Sequence, residues 1–283
     1  MEIATQPAET MQSVDNKFEE LKNILSEYIP DGLIVAFSGG IDSAFLLWAA
    51  VEAAQNVDGK VLALTTKSHS VPLRDLEDAR EFARSVGADH EIIESHEFEK
   101  EGYLENLGLR CYHCKSTLFE IATEMVQELG YGYIAYGYNA SDTGDVRPGH
   151  KAALENGVLY PLAKVGLTKN DIRTLMADNG FNIAEKPASP CLSSRIMTGV
   201  RVTPEKLQNI EELENILWDH GMRIFRVRLH EDNDIQYIRL EMSPEEMPKI
   251  FEIREQFVQA AQEKGFRWVN LDLEGYKMGG AVT

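Results

Sequence analysis

The sequence predicts an α/β protein with a doubly wound, mostly parallel sheet, followed by a smaller α+β region. Two observations support this fold class. Short apolar runs alternate with segments of helical periodicity over the first two thirds of the chain, an order typical of parallel sheets flanked by helices. After Thr203 the order changes to helix, strand, strand, helix and strand, which is typical of an α+β unit.

The larger region begins with an apolar strand at 33–37, and a helix follows the loop at 38–43. The same alternation predicts three more strands and two more helices. The strands are predicted at 61–65, 90–93 and 133–137, and the helices at 73–86 and 117–129. Such sheets bind ligands at the carboxyl ends of their strands, so the residues directly after the strands are candidates for a site.

The smaller region is predicted to contain two helices and three strands. The helices are predicted at 204–220 and 244–264, and the strands at 223–229, 236–241 and 267–273. A chain of 283 residues is long enough for each region to bury its own core. We therefore predict two domains, at 1–200 and 201–283, with the boundary near 199–203.

The loop at 38–43 reads Ser-Gly-Gly-Ile-Asp-Ser and lies between a predicted buried strand and an apolar helix. Adjacent glycines let the backbone approach a ligand, and the free N–H groups of a first helical turn attract anions. Ser38 and Ser43 add hydroxyl donors, and Asp42 is suited to hold a magnesium-bound water. The loop predicts a phosphate site, with an ordinary helix N-cap as the alternative. It lacks the Gly-Lys-Ser/Thr of a Walker A sequence, which argues against a kinase that transfers the γ-phosphate.

The chain is acidic, with 28 lysines and arginines against 46 aspartates and glutamates and a formal net charge of −18. This charge repels phosphate backbones at long range and argues against a large nucleic-acid substrate. The segment 1–22 contains no apolar stretch of signal-peptide length, and no later segment resembles a membrane span. We expect a cytoplasmic protein with a small-molecule substrate and no membrane partner.

Three cysteines form a second candidate site. Cys111 and Cys114 are three residues apart at a predicted helix start, where both thiols can face one side and the helix dipole favours thiolates. A third thiolate from Cys191 would complete the ligands of a 4Fe-4S cluster with one open iron. A structural zinc ion would need a fourth ligand such as His113, and a dithiol beside an unrelated buried cysteine is the third interpretation. The sequence favours the cluster.

Several segments resemble a known family. The loop at 38–43 resembles the pyrophosphate-binding loop of the PP-loop ATP pyrophosphatases, which cleave ATP between its α- and β-phosphates. Gly-Tyr-Asn-Ala-Ser-Asp at 137–142, Pro-Cys-Leu-Ser-Ser-Arg at 190–195 and Leu-Asp-Leu-Glu-Gly-Tyr at 271–276 resemble the LarE family of ATP-dependent sulfurtransferases within that superfamily. The resemblance covers nearly the whole chain beyond residue 31.

The resemblance implies a substrate and a chemistry. LarE proteins use ATP to adenylate a carboxylate of pyridinium-3,5-biscarboxylic acid mononucleotide, and they replace its hydroxyl oxygen with sulfur on the route to the nickel-pincer nucleotide of lactate racemase. Some members sacrifice one cysteine, at the position of Cys191, and others hold a [4Fe-4S] cluster on three cysteines. Because Cys111 and Cys114 are present, this chain resembles the cluster type. Sulfide or a cysteine desulfurase is the expected sulfur source, and we expect a homo-oligomer.

The resemblance also implies a role for each domain and for individual residues. The first domain is expected to bind ATP and Mg²⁺, and the second to bind substrate or form oligomer contacts. Cys191 and Asp42 are the predicted catalytic residues. The predicted ATP-binding residues are Ser38, Gly39, Gly40, Asp42, Ser43, Lys67, Asn139, Asp145 and Arg147. Arg195, Arg226 and Arg228 are predicted to hold the substrate phosphate, because Arg226 and Arg228 alternate on a predicted strand and share a face. An exposed strand face with salt bridges to neighbouring acids is the alternative.

Three other functions stay open on the sequence alone. A tRNA thiolase shares the loop and a cysteine trio but is expected to carry a basic patch or extra zinc-binding cysteines. An amide-forming ligase such as an NAD synthetase shares the loop and gives no reason for three cysteines. A non-enzymatic iron–sulfur sensor would keep the cysteines without needing the loop.

Overall fold

The computed structural model describes residues 13–143, 148–186 and 189–277. Its larger sheet contains four strands, which are β1 (Leu33–Ala36), β2 (Val61–Lys67), β3 (Asp89–Glu94) and β4 (Tyr133–Tyr136). They lie in the order β3-β2-β1-β4, and every neighbouring pair is parallel. The predicted parallel α/β sheet is confirmed. Because the strands point the same way, the residues that follow them meet at one edge.

Helices cover both faces of this sheet. They are α1 (Val14–Tyr28), α2 (Ile41–Ala54), α3 (Leu73–Ser85), α4 (Glu101–Leu104), α5 (Arg110–Leu129), α6 (Pro148–Glu155), α7 (Pro161–Lys164) and α8 (Lys169–Asp178). None of the helices in the described residues has the length and hydropathy needed to cross a membrane.

Strand β1 is buried on both faces, which explains its unbroken apolar run. Leu33 and Val35 belong to a core that also contains residues of α1, α2 and α8. Ile34 and Ala36 belong to a second core, which contains residues of α5 and α6. The alternation of side chains along β1 therefore joins both helical layers to one sheet and fixes the position of the loop that follows it.

A smaller sheet follows towards the C-terminus. Its strands are β5 (Phe225–Asp232), β6 (Ile235–Met242) and β7 (Val269–Leu271), and its helices are α9 (Pro204–Asp219), α10 (Met247–Ile250) and α11 (Arg254–Glu263). Strand β6 pairs antiparallel with β5 and parallel with β7. The core of this region also contains Tyr103, Leu192 and Ile196 from the first 200 residues. The division into domains at 200/201 stays a prediction.

The single helix predicted at 244–264 is wrong. The segment forms α10 and α11 with a turn between them. In that turn the N–H groups of Phe251, Glu252 and Ile253 each donate to the carbonyl three residues earlier. These tighter hydrogen bonds interrupt the α-helical ladder, so the apolar spacing continues through a helix break.

Candidate active site

The loop at 38–43 connects β1 to α2, and its own groups hold its shape. Gly39 has a φ of +71°, a left-handed conformation that residues with a side chain rarely adopt. The Ser43 hydroxyl donates to the Gly40 carbonyl at 2.9 Å and accepts from the Ser38 N–H at 3.2 Å. Gly40 is the N-cap of α2 and offers no capping side chain. The N–H groups of the first turn of α2 therefore stay available to an anion.

The loop borders a cavity of about 400 Å³, which we call the loop cavity. Its charged lining residues come from four segments of the chain. They are Asp42 of α2, Asp75 of α3, Lys169 and Arg173 of α8, and Lys186. Backbone N–H groups, cations and carboxylates in one cavity form a set suited to a metal-bound polyphosphate.

Asp42 is held by an ion pair. Its Oδ2 accepts a hydrogen bond from Nζ of Lys169 at 2.5 Å, and Lys169 is the first residue of α8. Its Oδ1 is buried and has no hydrogen-bond partner among the residues that the structure describes. Burial raises the pKa of Asp42, while Lys169 and, at longer range, Asn139 oppose the rise. A buried acceptor oxygen without a partner, beside a phosphate loop, fits a Mg²⁺ ion or its bound water.

Asn139 reaches this site from the end of β4. It is buried, and its side-chain oxygen accepts from the Ser141 N–H at 2.9 Å. Gly137 permits the close approach of this segment to α2, because a Cβ atom there would lie 2.7 Å from the Ser43 nitrogen. The structure thus brings Asn139 next to the loop. The predicted ATP-binding residues at 145 and 147 lie outside the described residues.

Lys67 is not brought to the loop cavity. It ends β2, its side chain is 44% exposed, and its Nζ donates to Glu94 of β3 at 2.8 Å. The two residues line a different cavity, between this edge of the sheet and α9. Nothing in the geometry supports a contact between Lys67 and the phosphates of ATP, and that role stays a prediction.

The three cysteines line one cavity of about 230 Å³, which we call the cysteine cavity. Cys111 and Cys114 are the second and fifth residues of α5, and Cys191 caps a 3-10 helix at Leu192–Arg195. Within the described residues, no three His, Cys, Asp or Glu side chains converge on a single metal ion. His113 does not line this cavity, and its ring packs against Gly102 instead. The geometry offers no fourth ligand for a zinc ion from His113.

Burial of the thiols acts against the thiolate form that the helix dipole is predicted to favour. Loss of solvent raises the pKa of Cys114 to about 12, and the buried Glu97 adds to the rise. Burial of the Cys111 thiol raises its pKa as well, although the residue as a whole is exposed. Desolvation therefore favours the neutral thiols in the protein without a bound metal.

Cys191 lines both the loop cavity and the cysteine cavity. Several contacts hold the segment that carries it. The Leu192 N–H donates to the Ser70 carbonyl at 2.8 Å, beyond the end of β2. The Tyr103 and Ser193 hydroxyl oxygens lie 2.6 Å apart, and Arg195 donates to the Cys191 carbonyl at 3.2 Å. Cys191 is thus fixed between a phosphate-binding loop and two other thiols.

The three predicted arginines are buried, so the alternative is wrong about exposure, although the salt bridges to acids that it also predicted are present at Arg195 and Arg228. Arg195 forms a two-pronged ion pair with Glu214 of α9, at 2.9 and 3.1 Å. Arg228 donates to Glu241 at 2.9 Å and to the Ser194 carbonyl at 2.8 Å. These contacts show that Arg195 and Arg228 support the Cys191 segment, and their role toward a substrate phosphate stays a prediction.

Arg226 and Arg195 line a third cavity, of about 500 Å³, which we call the arginine cavity. Lys186 lines both this cavity and the loop cavity, so the two cavities adjoin. The Arg226 guanidinium carbon lies 4.7 Å from the ring centre of Tyr276, which also lines the loop cavity. Burial and the nearby charge of Arg195 lower the pKa of Arg226. Arg228 does not line the arginine cavity.

The cations of the loop cavity are not among the residues predicted from the sequence. Lys169 pairs with Asp42, and Lys186 pairs with Asp75 at 3.0 Å and with Asp78 at 2.6 Å. Thr168 and Asp171 form a capping box at the start of α8, and this Thr-x-x-Asp pattern is visible in the sequence. The pattern predicts a helix start and carries no information about a partner far away in the chain.

Comparisons with known proteins identify several relatives of this chain. The pattern of the NAD synthase family matches residues 13–135. The uncharacterized protein slr1717 of Synechocystis sp. is 35% identical over 268 residues, or 94% of this chain and 97% of that protein. Pyridinium-3,5-bisthiocarboxylic acid mononucleotide synthase of Lactiplantibacillus plantarum is 28% identical over 245 residues, or 87% of each chain.

More distant relatives match a smaller share of the chain. The tRNA-specific 2-thiouridylase MnmA of Rickettsia felis is 26% identical over 192 residues, or 56% of this chain and 52% of that protein. The matches to the Synechocystis and Lactiplantibacillus proteins span most of the chain and include both the larger and the smaller region. The chain belongs to the LarE family of ATP-using sulfurtransferases, within the PP-loop ATP pyrophosphatase superfamily.

Proposed function

We propose that this enzyme adenylates a carboxylate of pyridinium-3,5-biscarboxylic acid mononucleotide and converts it to a thiocarboxylate, for the nickel-pincer nucleotide of lactate racemase. The observation that carries the proposal is the position of Cys191, which lines both the loop cavity and the cysteine cavity. The name of the Lactiplantibacillus plantarum relative supports this substrate class. ATP would be cleaved to AMP and pyrophosphate.

The loop cavity would carry out the adenylation. The substrate carboxylate attacks the α-phosphorus of ATP, the bond from that phosphorus to the bridging oxygen breaks, and pyrophosphate leaves. The free N–H groups after Gly40 and the Lys169 ammonium are placed to stabilise the charge of the leaving group. Asp42 would hold Mg²⁺, which supplies further positive charge to the phosphates.

The arginine cavity would bind the phosphate of the mononucleotide. Arg226 is the best candidate, because its guanidinium lies beside Tyr276 at the border of the loop cavity. Arg223 lies in the same lining, whereas the charge of Arg195 is balanced there by Glu214. Since the two cavities adjoin at Lys186, one nucleotide could place its phosphate in the arginine cavity and its carboxylate beside ATP.

The cysteine cavity would hold a [4Fe-4S] cluster on Cys111, Cys114 and Cys191. Its lining contains three thiols and no carboxylate or imidazole among the described residues, which suits a cluster bound by thiolates. The cluster would supply an iron atom that carries the incoming sulfur. The chain itself would hold Cys191 in place through Arg195 and keep the acyl adenylate close to that residue.

The other functions are less well supported. This chain spans about half the length of the 2-thiouridylases that it matches, and its net charge of −18 does not suit a tRNA substrate. The match to the NAD synthase family ends at residue 135, before Cys191. Neither relationship accounts for three cysteines around one cavity.

The test is a product analysis. Anaerobically purified protein is incubated with Mg²⁺, ATP, sulfide and the mononucleotide, and the nucleotides are identified by mass spectrometry. We expect AMP, pyrophosphate and a product in which one oxygen is replaced by sulfur. ADP and phosphate as products, or thiolation of added tRNA in place of the mononucleotide, would refute the proposal.

A further inference from the structure

We propose that Tyr276 and Asp75 form a subsite that recognises the positive charge of the substrate's pyridinium ring. This inference rests on the proposed function and adds the groups that select the ring. A substituted pyridinium nitrogen carries no N–H, so a hydrogen-bond acceptor cannot recognise its charge through a donated proton. An aromatic face or a carboxylate is needed instead, and both lie where the loop cavity meets the arginine cavity.

In the proposed complex the pyridinium ring lies at this border. The ring connects the ribose phosphate, which would bind in the arginine cavity, to the reacting carboxylate, which would lie beside ATP in the loop cavity. A nucleotide that reaches both cavities therefore places its ring between them. The two cavities share four residues of their described linings, which are Pro72, Asp75, Lys186 and Ser189.

Tyr276 stands at the same border. It lines the loop cavity, whereas Arg226, whose guanidinium carbon lies 4.7 Å from the centre of the Tyr276 ring, lines the arginine cavity. Arg226 is not part of the loop-cavity lining, so the part of the Tyr276 ring that is open to the loop cavity is not the part that Arg226 covers. A substrate phosphate on Arg226 would balance the guanidinium charge and weaken its repulsion of a cationic ring on Tyr276.

The backbone fixes the position of the Tyr276 ring. The Tyr276 N–H donates to the Met242 carbonyl at the end of β6, at 2.9 Å. Gly275 has a φ of +79°, and a Cβ atom there would lie 2.9 Å from the same carbonyl oxygen, so a glycine is needed for this close approach. The Glu274 N–H donates to Oδ1 of Asp272 at 3.0 Å. The segment at 271–276 is thus tied to β6 and holds the ring ready for a ligand.

Asp75 supplies negative charge at the border. Its Oδ1 accepts from Nζ of Lys186 at 3.0 Å, and its Oδ2 accepts from the Ser189 hydroxyl at 2.8 Å. Lys186 also donates to Asp78 at 2.6 Å, so one ammonium group is shared between two carboxylates. The Asp75 side chain is only 14% exposed, which limits the screening of its charge by water. This part of the border therefore attracts a cationic ring more strongly than a neutral one.

The test compares two mononucleotides that differ in the charge of the ring, nicotinic acid mononucleotide and its reduced, neutral dihydropyridine form. Both carry the same carboxylate and ribose phosphate, so the ratio of their Kd values cancels changes in phosphate binding. Titration calorimetry on the full-length protein should show tighter binding of the cationic form. We expect Tyr276→Leu to lower this preference by about three- to thirtyfold and Asp75→Asn by about three- to tenfold. Tyr276→Phe keeps the aromatic face and should keep most of the preference.

Tyr237→Leu is the matched control. Tyr237 is a half-buried tyrosine on β6 that packs against the rings of His230 and Trp268 and lines neither cavity. Its loss should leave the ratio unchanged. The subsite would be overturned if the wild-type protein showed no preference for the cationic form or bound neither form. An equal fall of the ratio in Tyr276→Phe and Tyr276→Leu, or in Tyr237→Leu, would overturn it as well.

A kinetic experiment separates this inference from the proposed function. In pyrophosphate release with the biscarboxylic mononucleotide, we expect Tyr276→Leu to raise the KM for the mononucleotide and to leave the KM for ATP unchanged. A rise in the KM for ATP alone would assign the ring of Tyr276 to the adenine and overturn the subsite. If the wild-type protein releases no pyrophosphate with this mononucleotide, the proposed function fails, and the ratio of the two Kd values still decides the subsite.

Discussion

The loop cavity and the cysteine cavity meet at Cys191, yet they are built in opposite ways. The loop cavity has charges of both signs, and its main cations are held in ion pairs, Lys169 with Asp42 and Lys186 with Asp75. The cysteine cavity has cations and thiols and no carboxylate in its described lining. The first arrangement would let a metal and a phosphate replace the internal partners, whereas the second places two cations, Arg110 and Lys115, beside three thiols.

The largest effect is expected from a substitution in the loop at 38–43. Gly40→Val should lower pyrophosphate release by at least about a hundredfold, because the side chain would occupy the approach of the phosphates to the backbone. The fold should survive, since a Cβ at Gly40 meets only the Ser38 Oγ atom, at 3.4 Å. Product assays and thermal melting measure the two effects.

Gly39→Val provides the contrast for that experiment. Gly39 has a φ of +71°, and a Cβ there would lie 3.2 Å from the Asp75 carbonyl oxygen. This variant should therefore lose stability together with activity. Equal melting temperatures for the two variants would show that the loop does not have the shape described.

The second prediction separates stability from catalysis at Asp42. Burial raises the pKa of this carboxyl in the folded chain, so ionising it at neutral pH costs folding stability. Stability from this group is greatest at low pH and falls as the pH rises through the raised pKa. Asp42→Asn should therefore abolish most pyrophosphate release without lowering the melting temperature at pH 7. A clear loss of stability at that pH would contradict the assignment.

The third prediction compares two arginines of the arginine cavity. Arg226→Gln should raise the KM for the mononucleotide about ten- to a hundredfold and leave the KM for ATP unchanged. The rise corresponds to the loss of one hydrogen bond to a charged group, which contributes about 1.5–3 kcal/mol. Arg195→Gln should instead destabilise the fold by about 3–5 kcal/mol, because Glu214 would stay buried without its partner. Steady-state kinetics and urea unfolding give both numbers. Equal effects on both substrates would remove Arg226 from the phosphate site.

The smallest effect is expected outside both cavities. Lys67→Gln removes an exposed ion pair with Glu94, which contributes about 1 kcal/mol at most to stability. The KM for ATP should stay unchanged, because Lys67 does not line the loop cavity. A large rise in that KM would restore Lys67 as a phosphate ligand and would mean that β2 ends differently in the complex with ATP.

Local sequence patterns predicted the features that local interactions determine. The loop at 38–43 is contiguous, and an apolar strand, two glycines and a helix start leave few other conformations. The same periodicity placed Arg226 and Arg228 on one face of β5 and wrongly allowed that face to be exposed. Burial depends on what packs against a strand, and here α9 and the Cys191 segment do so.

The parts of the site that the sequence did not predict depend on contacts between segments that are distant in the chain. Lys169 and Asp42 are 127 residues apart in the chain, and Arg195 finds Glu214 on a helix of the smaller region. No periodicity of a single segment encodes such a pair. The helix break after α10 has a different cause, since three tight hydrogen bonds replaced the α-helical ladder without any change in the apolar spacing.

The central claim is that adenylation and sulfur delivery are separate tasks that meet at Cys191. The most direct test is Cys191→Ser in an anaerobic reaction with Mg²⁺, ATP, sulfide and the mononucleotide, in which pyrophosphate and thiolated product are measured together. We predict a normal burst of pyrophosphate and no thiolated product, while the wild-type protein turns over repeatedly and keeps an unmodified Cys191. Thiolated product from Cys191→Ser, or a wild-type chain that loses one hydrogen sulfide at residue 191 in each turnover, would contradict the account.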